Sequence, residues 1–179
     1  MALFNVERFK SELVNGGARP NQFRVELNFP NYVTTGRAAG QKSQFLVNAA
    51  ELPSSTIGVA PVYYRGREVK FAGDTSFTPF TCTVLNDATF SIRNALEEWM
   101  NGMDNRLNKQ AITLDINGFA GYQTTIEVIQ LDRNGRQLKR YAMLGAFPSD
   151  ISSVGLDFAQ NDQISTFSVT FQYQTFITV

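Results

Sequence analysis

Side chains that commonly perform chemistry are scarce in this chain of 179 residues. It has no histidine, and Cys82 is its only cysteine. Without histidine there is no Ser-His-Asp or Cys-His catalytic group and no histidine-containing zinc site. Glu97 and Glu98 are adjacent on a predicted helix, so their carboxylates point about 100° apart and do not form an acid–base pair. These features argue against an enzyme, and a carboxylate-based hydrolase is the alternative.

Cys82 lies in an alternating segment in which Phe80, Cys82 and Val84 share one face. This pattern predicts a small buried hydrophobic residue, the alternative being a reactive thiol. A single cysteine excludes an intramolecular disulfide and is compatible with a reducing cytosol. No phosphate-binding loop, dinucleotide or EF-hand motif is present. The sequence therefore predicts no cofactor and no metal.

The charges balance, with 16 Lys and Arg against 16 Asp and Glu. Duplex-binding proteins usually have a basic excess, since affinity comes from neutralising phosphates. The basic cluster at Lys139 and Arg140 is therefore interpreted as a solvated rim, with a nucleic-acid site as the alternative. The N-terminus lacks the apolar region of a signal peptide, and no apolar run approaches the roughly 18 residues of a membrane span. We expect a soluble protein made in a cytoplasm that binds no membrane.

Residues 73–102 organise the chain, because they predict a buried strand followed by an amphipathic helix at about 87–101. Asn86 or Asp87 can cap this helix. Its apolar face is expected to anchor it to the protein core. That face consists of Ile92, Ala95, Leu96 and Trp99.

The remaining chain is predicted to form mainly strands, with a possible short N-terminal helix within residues 2–14. Alternation predicts strands at 23–29, at 112–116 and at the C-terminus. The last strand is expected to bury Phe167, Val169, Phe171 and Tyr173 and to present Ser168, Thr170, Gln172 and Gln174 outward. A mainly β single domain covering residues 1–179 is predicted.

A long hairpin is predicted at 124–144, with a type I′ turn at Asn134-Gly135. Ile129 and Leu131 lie on a second apolar face of this hairpin. That face predicts burial by another subunit, and a bulge that swaps the faces is the alternative.

Two other segments, residues 31–44 and 61–71, give separate predictions. Residues 31–44 have no apolar period, so they predict a projecting loop that is either functional or a tolerated insertion. Residues 61–71 alternate and predict a strand, in which Gly66 suggests a bulge.

Three blocks resemble the tail tube proteins of contractile-tailed bacteriophages. They are residues 18–23 (ARPNQF), residues 69–99 (VKFAGDTSFTPFTCTVLNDATFSIRNALEEW) and residues 145–172, which end in SSVGLDFAQNDQISTFSVTFQ. No single block is highly specific, whereas their order, their spacing and the total length match the family across most of the chain. The segment 31–44 departs from the family by being longer, and we expect it on the outer or ring-to-ring surface.

The resemblance implies a β-barrel, or two orthogonally packed antiparallel sheets, with one flanking helix. It implies six copies in a ring, with stacked rings forming an inner tube inside a contractile sheath. The implied partners are further copies of the chain, the sheath protein, and baseplate and tape-measure proteins. DNA would cross the lumen without specific binding. The implied protein is a virion component assembled in the host cytoplasm, with no enzymatic activity and no cofactor.

A DNA conduit needs a lumen that is polar and either neutral or acidic. The candidate lumen-facing residues are Glu127, Ser168, Thr170, Gln172 and Gln174, an ordinary solvent-facing surface being the alternative. The candidate subunit or ring contacts are Ile129, Leu131, Tyr63, Tyr64, Arg37 and Lys42. Other possible functions are a tube-initiating or baseplate paralog, the inner tube of a phage-derived injection system, and a monomeric β-barrel binding module.

Overall fold

The computed structural model describes residues 5–13, 17–103, 121–159 and 161–179. The helices are α1 (Val6–Glu12), α2 (Gly36–Leu46) and α3 (Ser91–Met103). The strands are β1 (Phe23–Leu27), β2 (Val47–Ala50), β3 (Ser55–Tyr64), β4 (Arg67–Phe77), β5 (Phe80–Leu85), β6 (Thr124–Leu131), β7 (Gln137–Ile151), β8 (Thr166–Gln172) and β9 (Thr175–Thr178). The strand predicted at 112–116 lies outside the described residues.

Seven of these strands form one antiparallel sheet in the order β1-β6-β7-β8-β5-β2, with β9 also paired to β7. The mainly β prediction is confirmed. Within the described part of the chain the sheet does not close into a barrel, because its path ends at β1 and β2. The prediction of one flanking helix and a possible N-terminal helix is incomplete, since α2 is a third helix.

Strand β7 is shared by two halves of the sheet. Its first half pairs with β6 and, from Tyr141 to Leu144, with β9. From Phe147 onward it pairs with β8 instead. Gly145, with a φ of 65°, lies where the pairing changes. A single strand of 15 residues therefore runs through both halves.

The core lies between the sheet and helices α2 and α3. All four residues of the predicted apolar face of α3 are buried: Ile92, Ala95, Leu96 and Trp99. The Trp99 Nε1 donates to the Tyr122 carbonyl at 2.7 Å, and its ring lies 5.5 Å from that of Phe29 and 6.1 Å from that of Phe171. The indole therefore joins α3 to both sides of the core.

Helix α3 begins at Ser91, four residues later than predicted, because residues 87–90 form a turn. The Phe90 amide donates to the Asp87 carbonyl, and Phe90 has a φ of 51°. Asp87 still satisfies the helix start, as predicted, since its Oδ1 accepts from the Ser91 amide at 2.8 Å. Gly102 lies one residue before the end of α3 and is buried, where a Cβ would lie 2.2 Å from Cε2 of Tyr32.

The segment predicted as a projecting loop, 31–44, mostly forms helix α2. Its buried residues are Gly36, Ala39 and Ser43, which are small. A Cβ at Gly40 would lie 2.7 Å from the Leu27 carbonyl oxygen, so α2 packs directly on the backbone of β1. A helix that buries small residues lacks the apolar period that identifies amphipathic helices, which is why the sequence did not predict it.

Strands β3 and β4 form a separate two-stranded ribbon. Arg65 and Gly66, with φ of 49° and 79°, form a two-residue turn at its tip. The predicted bulge at Gly66 is therefore wrong. The ribbon continues the β2–β5 strand pair past the end of the sheet, and every residue from 55 to 76 is exposed. Ten residues of extended chain give it a reach of roughly 30 Å.

The turn between β6 and β7 also differs from the prediction. Gly135 has a φ of 75°, while Asn134 does not have a positive φ, so the turn is not type I′. The Asp132 Oδ1 accepts from the amides of Asn134 and Arg136 at 2.7 and 2.8 Å. An aspartate side chain therefore holds this turn together.

Candidate functional site

Neutral polar side chains make up most of the non-core face of β5 and β8, and Leu85 at the end of β5 is the apolar exception. As predicted from the alternation, β8 buries Phe167, Val169 and Phe171. The opposite side chains are half-buried at Ser168, Thr170 and Gln172, and Gln174 is exposed. Because Thr81 and Thr83 of β5 pair with Thr170 and Ser168, we name the set Thr81, Thr83, Ser168, Thr170 and Gln172 the hydroxyl face.

Hydrogen bonds fix the positions of several hydroxyl groups at this face. The hydroxyl oxygens of Thr81 and Thr170 share a hydrogen bond at 3.2 Å. On the β7 side, Ser149 Oγ donates to the Thr170 carbonyl at 3.1 Å, and Ser152 Oγ accepts from the Ser168 amide at 2.8 Å. The residue of β7 opposite Thr170 is the exposed Asp150. The hydroxyl face therefore has no cation of its own, and its neighbour is a carboxylate.

The non-core face of β1, β6 and the first half of β7 holds a charged cluster, Arg24, Glu26, Glu127 and Arg140, which we name the charged face. Glu127 lies opposite Glu26 in the register. The Glu127 carboxylate accepts from Arg140 Nη2, and Arg24 Nε lies 3.1 Å from Glu26 Oε1. The pKa of Arg140 is raised because Glu127 accepts this hydrogen bond and because both carboxylates are negative. Two cations thus offset two carboxylates.

Ile129 and Leu131, predicted to contact another subunit, lie on the same side of β6 as Glu127. In the register Ile129 lies between Arg24 and Arg140, and it is only 2% exposed. Little of its surface is left for a neighbouring subunit. Leu131 is half-buried.

Arg37 and Lys42, two further contact candidates, are exposed on α2. Lys42 Nζ lies 2.6 Å from Asp87 Oδ2 and 3.0 Å from Ser91 Oγ. The pKa of Asp87 is far below its usual value because Lys42 donates to it, with further hydrogen bonds from Ser91 and Thr89, while desolvation opposes the shift. Lys42 therefore has a partner within its own chain, and it joins α2 to the start of α3.

The neighbouring carboxylates of α3 have separate partners. Glu97 pairs with Arg93 at 2.8 Å. Glu98 accepts from the Thr34 amide at 3.0 Å and from the hydroxyls of Thr34 and Thr35 at 3.0 and 3.3 Å, which lowers its pKa. The two groups do not form an acid–base pair, as expected from their spacing.

Cys82 is buried on the core face of β5, as predicted. Burial raises the pKa of its thiol to about 12. Because the thiolate is the reactive form, this position is chemically inert at neutral pH.

Tyr63 and Tyr64, predicted as contact residues, are exposed near the tip of the ribbon. They point to opposite faces, since side chains alternate along a strand. Tyr64 lies on the same side as two cross-strand pairs, Ala60–Phe71 and Val62–Val69. We name these five residues the apolar ribbon face. The sequence indicated a strand here but gave no sign that both of its faces would be exposed.

None of the helices in the described ranges is long and apolar enough to cross a membrane.

A family model and a known relative each match most of the chain. The family model described as phage tail tube protein matches residues 18–179. The tail tube protein gp19 of Enterobacteria phage T4 is 30% identical over 156 residues, which cover 86% of each chain.

Two solved structures have a similar fold. A chain of the anti-feeding prophage cap, described as a tube-terminating cap, aligns with a TM-score of 0.65 at 16% identity over 90% of both chains. A chain of the sheath–tube complex of the extracellular contractile injection system PVC aligns with a TM-score of 0.57 at 16% identity over 98% of both chains. At this identity the likeness concerns the fold alone.

Proposed function

Because the chain belongs to the phage tail tube protein family, we propose that its copies assemble into stacked hexameric rings that conduct DNA out of a contractile tail. The protein is a structural component of the virion, part of the inner tube within the sheath, and not an enzyme. The number of subunits in a ring, the stacking of the rings and the passage of DNA through them are our proposals.

Self-assembly is supported by edge strands of the sheet that have no second strand paired to them among the described residues. Helix side chains already occupy two positions at these edges. The Ser43 hydroxyl of α2 is hydrogen-bonded to the edge of β1, and Arg93 of α3 donates to the Ser152 carbonyl just beyond β7. Strands β2 and β9 each pair with one strand only among the described residues. Open edges are sites for pairing with another chain. We infer that β2 of one copy meets β9 of the next.

Such a contact joins two different surfaces, so it repeats around a ring until the ring closes. The barrel that the resemblance implies would then belong to the ring, with each subunit contributing an open sheet. This would account for the open sheet that the described residues of a single copy form.

We place the lumen on the non-core face of the sheet, at Glu127, Ser168, Thr170, Gln172 and Gln174. DNA moves freely only where its phosphates find no unpaired cations. The hydroxyl face supplies neutral groups, and Arg140 is already paired with Glu127. Both parts of the face are thus suited to passage without binding.

The remaining contacts follow from exposure. Tyr63 and Tyr64 on the ribbon, Arg37 on α2 and the half-buried Leu131 are available to neighbouring copies. Ile129 and Lys42, which have partners within the chain, would contribute less. Sheath, baseplate and tape-measure proteins are the further partners that we propose for the assembled tube.

Negative-stain microscopy of the purified protein, with mass measured by size-exclusion chromatography and light scattering, tests this function. The expected result is rings and stacked cylinders, or a monomer that polymerises when a baseplate is added. Single rings that never stack would indicate a tube-initiating or terminating role instead. A protein that stays monomeric even with a baseplate would overturn the proposal and favour a monomeric binding module.

A further inference from the structure

The loop between β7 and β8 exposes three large apolar side chains, Leu156, Phe158 and Ile164, and the first two are the most exposed. Leu156 is 90% exposed and Phe158 is fully exposed. Isolated surface hydrophobics are common, but two side chains this exposed in a three-residue stretch indicate a contact surface. We name Leu156 and Phe158 the loop anchor.

The apolar ribbon face is a second uncovered surface on the same chain. Val62, Val69 and Phe71 are all exposed, although they pair across the two strands. A lone two-stranded hairpin is at best marginally stable in water. The ribbon would therefore be stabilised by a partner that covers this face.

These two surfaces lie at opposite ends of the β5–β8 strand pair. Near the ribbon, Phe80 pairs with Phe171, and the Thr78 amide donates to the Ser54 carbonyl at the ribbon base. At the other end Leu85 pairs with Thr166, and the loop is held by the Asn86 amide, which donates to the Ser165 carbonyl. Six residues of β5 separate the two ends by roughly 20 Å. The loop anchor of one copy therefore does not reach the ribbon base of the same copy.

The charges of the two segments are complementary. Residues 62–71 contain Arg65, Arg67 and Lys70 against one carboxylate, Glu68, for a net charge of +2. Residues 153–165 contain Asp157 and Asp162 and no cation, for a net charge of −2. Opposite charge beside matching apolar surfaces favours contact between these two segments over contact of either segment with itself.

We propose that the loop anchor of one copy packs on the apolar ribbon face of the next copy along the tube. This inference rests on the proposed tube function and assigns one of its contacts. Because the two surfaces lie at opposite ends of the subunit, the contact is head-to-tail. It can repeat without limit along an axis, and it gives the stack a direction.

The first test compares stack length for Phe158→Ser and Leu156→Ser with wild type, using the full chain. Leu138→Ser is the matched control, because Leu138 is an exposed apolar residue outside both surfaces. We expect each loop variant to form rings and to keep the wild-type circular dichroism spectrum, while the stacking constant falls about tenfold or more. The control should stack like wild type.

The second test is a charge exchange. Asp157→Arg alone and Arg67→Asp alone should each shorten the stacks, and the double variant should restore them. Restoration is expected only if the two segments meet.

The third test uses the fact that Cys82 is buried and is the only cysteine. The double variant Phe158→Cys and Val69→Cys, oxidised with copper phenanthroline in assembled tubes, should give a ladder of disulfide-linked oligomers. Either single variant should give no ladder beyond a dimer.

Three outcomes would overturn the inference while leaving the tube function intact. They are wild-type stacking in both loop variants, loss of rings together with stacks, and a double-cysteine variant that stays monomeric after oxidation. A wild-type protein that forms no ring at all would instead overturn the proposed function.

Discussion

The Ser43 hydroxyl accepts a hydrogen bond from the Leu27 backbone amide at 3.1 Å, so that a helix side chain occupies the edge of strand β1. The same oxygen lies 3.2 Å from the Val25 carbonyl and 2.8 Å from the Gly40 carbonyl. A hydroxyl has one proton, so it donates to one of these carbonyls at a time while accepting from Leu27. This contact closes β1 to a further strand and, within the residues that the structure describes, leaves β2 and β9 as the open edges.

Replacing Ser43 with Ala is expected to destabilise the folded chain by about 1–3 kcal/mol, because the buried Leu27 amide loses its partner. Urea unfolding followed by circular dichroism measures the change in the free energy of unfolding. Ser11→Ala is the control, since Ser11 is exposed and its hydroxyl donates only to the nearby Arg8 carbonyl. Equal stability of the two variants would show that the Ser43 contact contributes nothing.

Replacing Gly40 with Ala should also destabilise the protein, because the new Cβ would lie 2.7 Å from the Leu27 carbonyl oxygen. Helix α2 must then move away from β1, at a cost of about 1–3 kcal/mol for overpacking. Gly155→Ala is the matched control, since a Cβ there meets no atom within 4 Å. Thermal unfolding should give a lower Tm for Gly40→Ala than for Gly155→Ala, and the reverse order would contradict the packing of α2.

The lowered pKa of Asp87 predicts acid sensitivity. Its pKa in the folded chain lies below its unfolded value of about 4. Its stabilising contribution is therefore complete above about pH 4 and is lost as the pH falls through the folded value. We expect Asp87→Asn to be less stable than wild type at pH 7, with a difference that shrinks below pH 4.

Stability curves measured by urea unfolding between about pH 7 and pH 2 test this dependence. Asp74→Asn, on the exposed ribbon, is the control and should match wild type throughout. Glu98 is unchanged in every variant, so its own lowered pKa cancels in the comparison. If the difference in the free energy of unfolding between wild type and Asp87→Asn did not change with pH, that result would contradict the role of the Lys42–Asp87 pair.

A lysine at Gln174 should slow DNA passage, if this exposed residue lines the lumen as we propose. An added cation in each subunit would bind phosphates along the conduit, and raising the salt concentration would weaken the effect. Gln174→Glu is the control at the same position and should leave the rate of ejection unchanged. DNA release from variant phage, triggered in vitro at low and high salt, measures both rates. Equal release by the Lys and Glu variants would place Gln174 outside the lumen.

Strong alternation made several elements predictable from the sequence. The pattern of β8 correctly separated Phe167, Val169 and Phe171 from the polar residues between them, and the apolar spacing around Trp99 identified α3. Helix α2 was missed because Gly36, Ala39 and Ser43 provide a close backbone approach instead of apolar bulk. Small side chains at helical spacing are also common in loops, so this signal is weak.

The candidate site was less predictable than the fold, because alternation shows which side chains share a face but not what covers that face. The sequence pattern predicted that Ile129 would contact a neighbouring subunit, yet this side chain is already buried within its own chain. The ribbon read as an ordinary strand, although no part of the described chain covers its residues from 55 to 76. Both results depend on contacts between segments distant in sequence, which local periodicity does not encode.

Strand β7 also determines how the subunit bears mechanical load. Tension applied at the ribbon end crosses the β5–β8 and β7–β8 hydrogen bonds and then passes along the unbroken main chain of β7 to the half that pairs with β6. Two sheets that only touched each other could slide under the shear of a contracting tail, whereas the shared backbone of β7 opposes such sliding. A single backbone cut at Gly145 would remove that resistance while leaving most of the pairing in each half intact.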